Sequence, residues 1–208
     1  MDFVSARANM LESQVRTNDV TDIEIQDAMR AAPRERLVPP SKAFAAYAEV
    51  EVETAPGRWL MKPRDIGKLL QAARPRSGET ALALAAPYAA MVLARMGLSV
   101  TAQDADARAD ATVRLALEGE GVACRVADFD KIEGRFDVIV CEHAVTEVPT
   151  AWLDALADGG RLALVQRDGP VGKARLFVRT AQGVSSREVF DSTPPMLAGF
   201  EKAPTFEF

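Results

Sequence analysis

The chain has 208 residues, 48% hydrophobic and 26% charged, enough for one well-cored globular domain with a small appended subdomain. A net charge of −5 argues against a bulk electrostatic grip on nucleic acid or on an anionic membrane. The two cysteines, Cys124 and Cys141, lie inside apolar runs and read as reduced core residues, with no spacing that suggests a metal site.

The opening Met1-Asp2-Phe3-Val4-Ser5-Ala6-Arg7 has no basic region leading into an apolar one. The longest apolar stretch, Ala81 to Ala94, is interrupted by Pro87 and too short to span a bilayer, so a cytoplasmic protein without membrane contact is expected. Residues 3–16 predict an amphipathic helix, with Phe3, Ala6, Met10, Leu11 and Val15 at helical spacing. Thr17-Asn18-Asp19 breaks it. A second helix is expected from Thr21, with Thr21 and Glu24 as a capping box and Ile25, Ala28, Met29 and Ala32 as its buried face, until Pro33 ends it. An extended link runs to Pro39-Pro40, and one or two helical turns follow around Phe44 and Tyr47. Val50 to Val52 reads as short and extended, and Pro63 to Arg74 as a helix burying Ile66, Leu69, Leu70 and Ala73. These elements make residues 1–76 an N-terminal helical subdomain and 77–208 the main domain. The first two helices can pack on their own sheet or on a second copy, which leaves a homodimer open.

Glu79 to Ala86 is an apolar run of buried parallel-strand length, and Pro87 to Met96 is a helix with proline at its first position and Gly97 at its end. Leu98 to Asp104 is a second strand. Ala105 to Glu118 is helical, Val122 to Val126 and Phe136 to Cys141 are strands, and Pro149 starts a helix carrying Trp152, Leu153 and Leu156 that stops at Gly159-Gly160. Arg161 to Gln166 is the fifth strand. Strict strand–helix alternation from 79 to 166 predicts right-handed crossovers and a parallel sheet. The segments Lys173 to Thr180 and Val184 to Phe190 read as a hairpin.

Several motifs resemble the protein-L-isoaspartate O-methyltransferases. They are Ser13-Gln14-Val15-Arg16, the link Pro33-Arg34-Glu35-Arg36-Leu37-Val38-Pro39, the Pro56–Leu70 segment, Gly134-Arg135-Phe136-Asp137-Val138-Ile139-Val140, Glu147-Val148-Pro149 and Leu156-Ala157-Asp158-Gly159-Gly160-Arg161-Leu162. Gly169 to Leu176 and the Phe200 to Phe208 end are similar to a subset of bacterial members. The resemblance implies an α/β, Rossmann-like class I methyltransferase sheet, mostly parallel with an antiparallel C-terminal strand pair, beside an N-terminal helical subdomain. It also implies S-adenosylmethionine-dependent methylation of the abnormal carboxylate of isoaspartyl residues in damaged proteins.

On that resemblance, the glycine-rich turn that lies against the cofactor corresponds here to Ala83, Leu84, Ala85, Ala86 and Pro87. Each added methyl occupies space where there is no slack, and Pro87 removes an N–H from a helix start that would hold a negative charge. The ribose-binding acid falls at Gln103, or at Asp104 if the strand register differs by one. Asp128 matches the acid near the adenine, with Phe129 as a stacking face. Met61 stands where the family carries a cleft serine or threonine. Without the resemblance, Met61 and Trp59 read as packing residues, Asp128 as a turn former, the lone His143 as a satisfied or solvent-facing side chain, and Arg58, Lys62 and Arg64 as a solvated rim. The expectation is a non-catalytic binding or regulatory protein with no cofactor, no catalytic residue, no metal and an unidentified protein partner. The alternative is a working S-adenosylmethionine-dependent protein carboxyl methyltransferase.

Overall fold

A computed structural model describes residues 2–202; the last six residues of the Phe200 to Phe208 end lie outside the described residues. Helix α1 (Phe3–Met10) is capped by Asp2, whose carboxylate accepts the Val4 and Ser5 N–H groups. It runs on through a wide turn (Leu11–Val15) and a tight one (Arg16–Asn18), and ends where Asp19 turns left-handed. Helix α2 (Ile23–Ala31) is capped by Asp22, not by the expected Thr21–Glu24 box. The Thr21 N–H is instead taken by the Gln71 side chain at 2.6 Å, so that hydroxyl residue is committed to α3 (Pro63–Ala73).

Where only Val50–Val52 was expected to be extended, a small antiparallel hairpin forms from β1 (Val52–Ala55) and β2 (Arg58–Leu60), turning at Gly57 with φ 71°. The main sheet comprises β3 (Thr80–Leu84), β4 (Ser99–Asp104), β5 (Ala123–Val126), β6 (Phe136–Val145), β7 (Leu156–Gln166), β8 (Gly172–Thr180) and β9 (Gly183–Ser192). Their spatial order is β5-β4-β3-β6-β7-β8-β9, parallel through β7 and antiparallel thereafter. The alternating pattern and the terminal hairpin are therefore as the sequence predicts. Helices α4 (Pro87–Arg95), α5 (Ala107–Ala116) and α6 (Thr150–Asp154) fill the crossovers.

Leu156 opens β7 instead of closing α6, and β7 passes through Gly159-Gly160, where a helix stop was expected. A Cβ on Gly160 would lie 2.8 Å from the Phe136 carbonyl oxygen, so the glycine serves close strand approach. Buried Leu11, Val15, Ile25 and Met29 join Ile66, Leu70, Val92 and Val140 in one apolar cluster, so the N-terminal helices pack on the chain's own sheet. The strand order reverses between β3 and β6. In open α/β sheets, a crevice for ligands forms at the carboxyl ends of the strands flanking such a reversal. Among the described residues, no helix is long and apolar enough to cross a membrane.

Candidate functional site

At that switch point β3 passes into α4 through Ala85-Ala86. Ala85 has φ 44° and donates its N–H to the Gln103 carbonyl at 3.0 Å. A residue with a Cβ in this left-handed region costs about 1–2 kcal/mol, so the turn keeps the shape glycine would favour while carrying a methyl group. Pro87 takes the first helical position, as expected. Ala83, Ala85, Ala86 and Pro87 face Ala102, Gln103 and Asp104 across a cavity of only about 10 Å³, roughly room for one water.

Gln103 and Asp104 project to opposite sides of β4 and have separate tasks. The Gln103 amide donates to the Asp128 carbonyl at 2.9 Å, and its Oε1 is buried without a partner. Asp104 takes a two-pronged grip from Arg58: Nε to Oδ2 and Nη2 to Oδ1, both 2.7 Å. The Arg58 guanidinium also lies 5.6 Å from the centre of the Phe129 ring. Arg58 is only 8% exposed, which overturns its reading as part of a solvated rim. The hairpin tip has folded it over the carboxyl edge. Lys62 and Arg64 do sit nearer solvent, paired with Glu51 and Glu49.

Phe129 is buried, edge-to-face with Trp152 and Phe200. The Asp128 carboxylate is 63% exposed and binds Lys131 at 2.6 Å, while its backbone carbonyl accepts from Gln103. Met61 is fully buried, and its backbone ties the hairpin down. Its N–H donates to Glu142 at 3.3 Å, and its carbonyl accepts from Arg34 at 2.7 Å. The structure thus gathers Met61, Ala83, Ala85, Pro87, Gln103, Asp104 and Phe129 in or beside one crevice, with Asp128 joined to Gln103 through its carbonyl and its carboxylate exposed.

Glu142 escapes sequence reasoning, and its neighbour His143, expected to be satisfied or solvent-facing, is buried with its Nε2 hydrogen-bonded. The pairing of β6 with β7 slips between Val140 and Ala144, and this bulge lets the adjacent Glu142 and His143 both turn inward. Glu142 Oε1 accepts the Ala89 N–H at 2.8 Å, filling the N-terminus of α4 from within. Burial pushes the Glu142 carboxyl up, opposed by the Arg34 charge and the surrounding N–H groups. Arg34, from the Pro33–Pro39 link, is wholly buried; it donates to the Ala46 carbonyl at 2.8 Å and lies 4.4 Å over the Tyr88 ring. The one signal for this pair was a Glu-His step inside an otherwise apolar strand.

His143 is buried too, and its Nε2 accepts the Trp59 N–H at 3.0 Å, so the ring is neutral with its proton on Nδ1. Burial, aided by the Arg58 charge, holds its pKa down to about 4. The folded value lies below the unfolded one. Its contribution is therefore intact above about pH 6.5 and is lost as pH falls toward 4. Going from pH 7 to pH 5 is expected to remove about 2 kcal/mol by this route. Urea unfolding of the wild type and His143→Gln at the two pH values checks it: the loss should shrink in the variant.

The comparisons with known proteins bear on the whole chain. The family model of protein-L-isoaspartate(D-aspartate) O-methyltransferase matches residues 6–189. A protein-L-isoaspartate O-methyltransferase of Methylorubrum populi is 34% identical over 206 residues, covering 94% of this chain and 96% of that protein. Its counterpart in Methylorubrum extorquens is 33% identical, covering 95% and 91%. Among solved structures, a Plasmodium falciparum protein described as a protein-L-isoaspartate O-methyltransferase, in complex with S-adenosyl-L-homocysteine, superposes with a TM-score of 0.79. It covers 95% of this chain and 98% of that one at 15% identity, which speaks to the fold. With its sheet order, its switch-point crevice and these relatives in agreement, the chain belongs to the protein-L-isoaspartate(D-aspartate) O-methyltransferase family.

Proposed function

We propose that this chain is a non-catalytic member of its family, acting by binding another protein, with its S-adenosylmethionine cleft closed from within. One observation carries the reading: Arg58 lies between Asp104 and Phe129, the carboxylate and the aromatic face that a nucleoside would need. The residues present do not fit the cofactor. The space left is about 10 Å³, the Ala85 methyl stands where backbone contact would be made, and Glu142 already takes the Ala89 N–H of α4. Met61 offers no hydroxyl to a substrate. Calorimetric titration with S-adenosylmethionine and S-adenosylhomocysteine tests the reading. No heat of binding at ligand concentrations of about 1 mM is expected, and micromolar affinity would overturn it.

A second reading is favoured by the survival of Asp104 and Phe129 themselves. If the β1–β2 hairpin swings away, an acid and a ring remain for the ribose and adenine. The chain would then be an S-adenosylmethionine-dependent methyltransferase of isoaspartyl proteins, as the names of its Methylorubrum relatives suggest. Methylation of an isoaspartyl peptide above a no-enzyme control would select this reading.

A further inference from the structure

We infer that the groove between α2, the end of α3 and β9 is a docking site for an acidic, partly apolar peptide segment of a partner protein. The groove lies toward the amino end of β3, away from the crevice. It consists of two adjoining recesses of about 730 and 530 Å³ that share Arg74, Arg76 and Arg187. Most arginines of this chain are engaged: Arg7, Arg36, Arg64, Arg95, Arg125, Arg161 and Arg175 all pair with carboxylates. The side chains of Arg74, Arg76 and Arg187 are exposed and make neither a hydrogen bond nor an ion pair among the described residues. Lys68 beside them rests on the Phe190 ring at 4.8 Å, again without a carboxylate. In a chain of net charge −5, unpaired cations gathered in one groove are complementary to an anion.

A second, independent observation concerns Arg74. It caps α3 with φ 49°, the left-handed position that glycine usually fills, so the chain accepts backbone strain and displays a guanidinium there. The kind of anion follows from the rest of the wall. Ile23, 63% exposed, and Val189 supply apolar contact; Asp19 and Glu24 line the same recess, as does Asp22, whose carboxylate is engaged in capping α2. A nucleic-acid backbone or a polyphosphate, charged along its whole length, would set phosphates against Asp19 and Glu24 as well as against the arginines. A peptide setting its carboxylates on the arginines and its apolar side chains on Ile23 and Val189 would not.

The probe is a fluorescein-labelled twelve-residue peptide of alternating Glu and Leu, titrated with the full chain and read by anisotropy. Saturable binding below about 100 μM is expected at low salt, lost on raising salt to about 0.5 M. Arg74→Glu/Arg76→Glu/Arg187→Glu should weaken it by at least about tenfold, while Arg108→Glu, on another face, should leave it unchanged. The three positions are exposed, so the variant should melt like the wild type; if it does not, single alanine changes replace it, each expected to weaken binding about two- to threefold. No saturation by about 1 mM, equal binding by the variant, or tighter binding of oligothymidylate than of the peptide would each overturn the inference. The calorimetric result at the crevice is separate, since none of these residues touches it.

Discussion

Arg58→Ala is expected to cost about 3–5 kcal/mol of stability, a fall in Tm of roughly 6–20 °C for a domain of this size. The effect comes from what is left behind. Asp104 is buried, and its two oxygens receive the two Arg58 donors at 2.7 Å; the Asp106 N–H, also on Oδ1, is the other donor they retain. Truncating the arginine strands a carboxylate in a place water reaches poorly. Arg58→Lys keeps the charge without the fork and should lose roughly half as much. Arg58→Met/Asp104→Leu removes both charges and should recover most of the loss, because replacing a buried pair by apolar groups is often near neutral. Thermal melts of wild type and the three variants compare these losses directly. A shift of less than about 2 °C for Arg58→Ala would mean that Asp104 is solvated and that the hairpin is held by other contacts.

Glu142→Gln is the second large expectation, a loss of about 2–4 kcal/mol by urea unfolding at pH 7. Both carboxylate oxygens accept backbone N–H groups, Oε1 from Ala89 and Oε2 from Met61. An amide can satisfy only one of them and turns its own N–H toward the other. Arg34, wholly buried with one nitrogen already unpartnered, also loses a carboxylate that favours its charged form. Adding Arg34→Met to Glu142→Gln should therefore cost less than the two single losses summed. The pH dependence has a definite sign. Burial raises the Glu142 pKa above the unfolded value of 4.5, so this group's contribution declines as pH rises from 4.5 toward its folded value. Glu142→Gln should abolish that decline. A loss below about 0.5 kcal/mol would show that neither the helix start nor Arg34 depends on this carboxylate.

Much of the architecture was legible because it is local. Apolar runs of strand length, Pro87 at a helix start and the Ala181-Gln182-Gly183 turn each act through their neighbours in sequence. The crevice was legible in part, for Ala83, Ala85 and Pro87 are where strand–helix alternation puts them. What escaped was decided at long range. Gly57-Arg58 looks like an ordinary polar turn, and only a carboxylate 46 residues later makes the arginine a buried plug. Gln103 and Asp104 differ by one step along β4, and that step decides which side chain meets Arg58 and which the Asp128 carbonyl. Glu142 and His143 both point inward only through a slip in strand pairing. Asp128, just past β5, pairs with Lys131 three residues on, a contact that a lone strand-end Asp does not announce.

The guanidinium that fills the crevice is tethered to it, and that alters what any soluble competitor must achieve. A tethered group is never diluted away, so its occupancy is set by an internal equilibrium. If closure is worth about 3 kcal/mol, the open form is about one molecule in 150, and a visiting ligand is weakened by that factor however well it fits. A modest local energy would thus turn a host of about 1 μM affinity into one of about 150 μM, and silence at about 1 mM requires the lost turn contacts and the filled space as well.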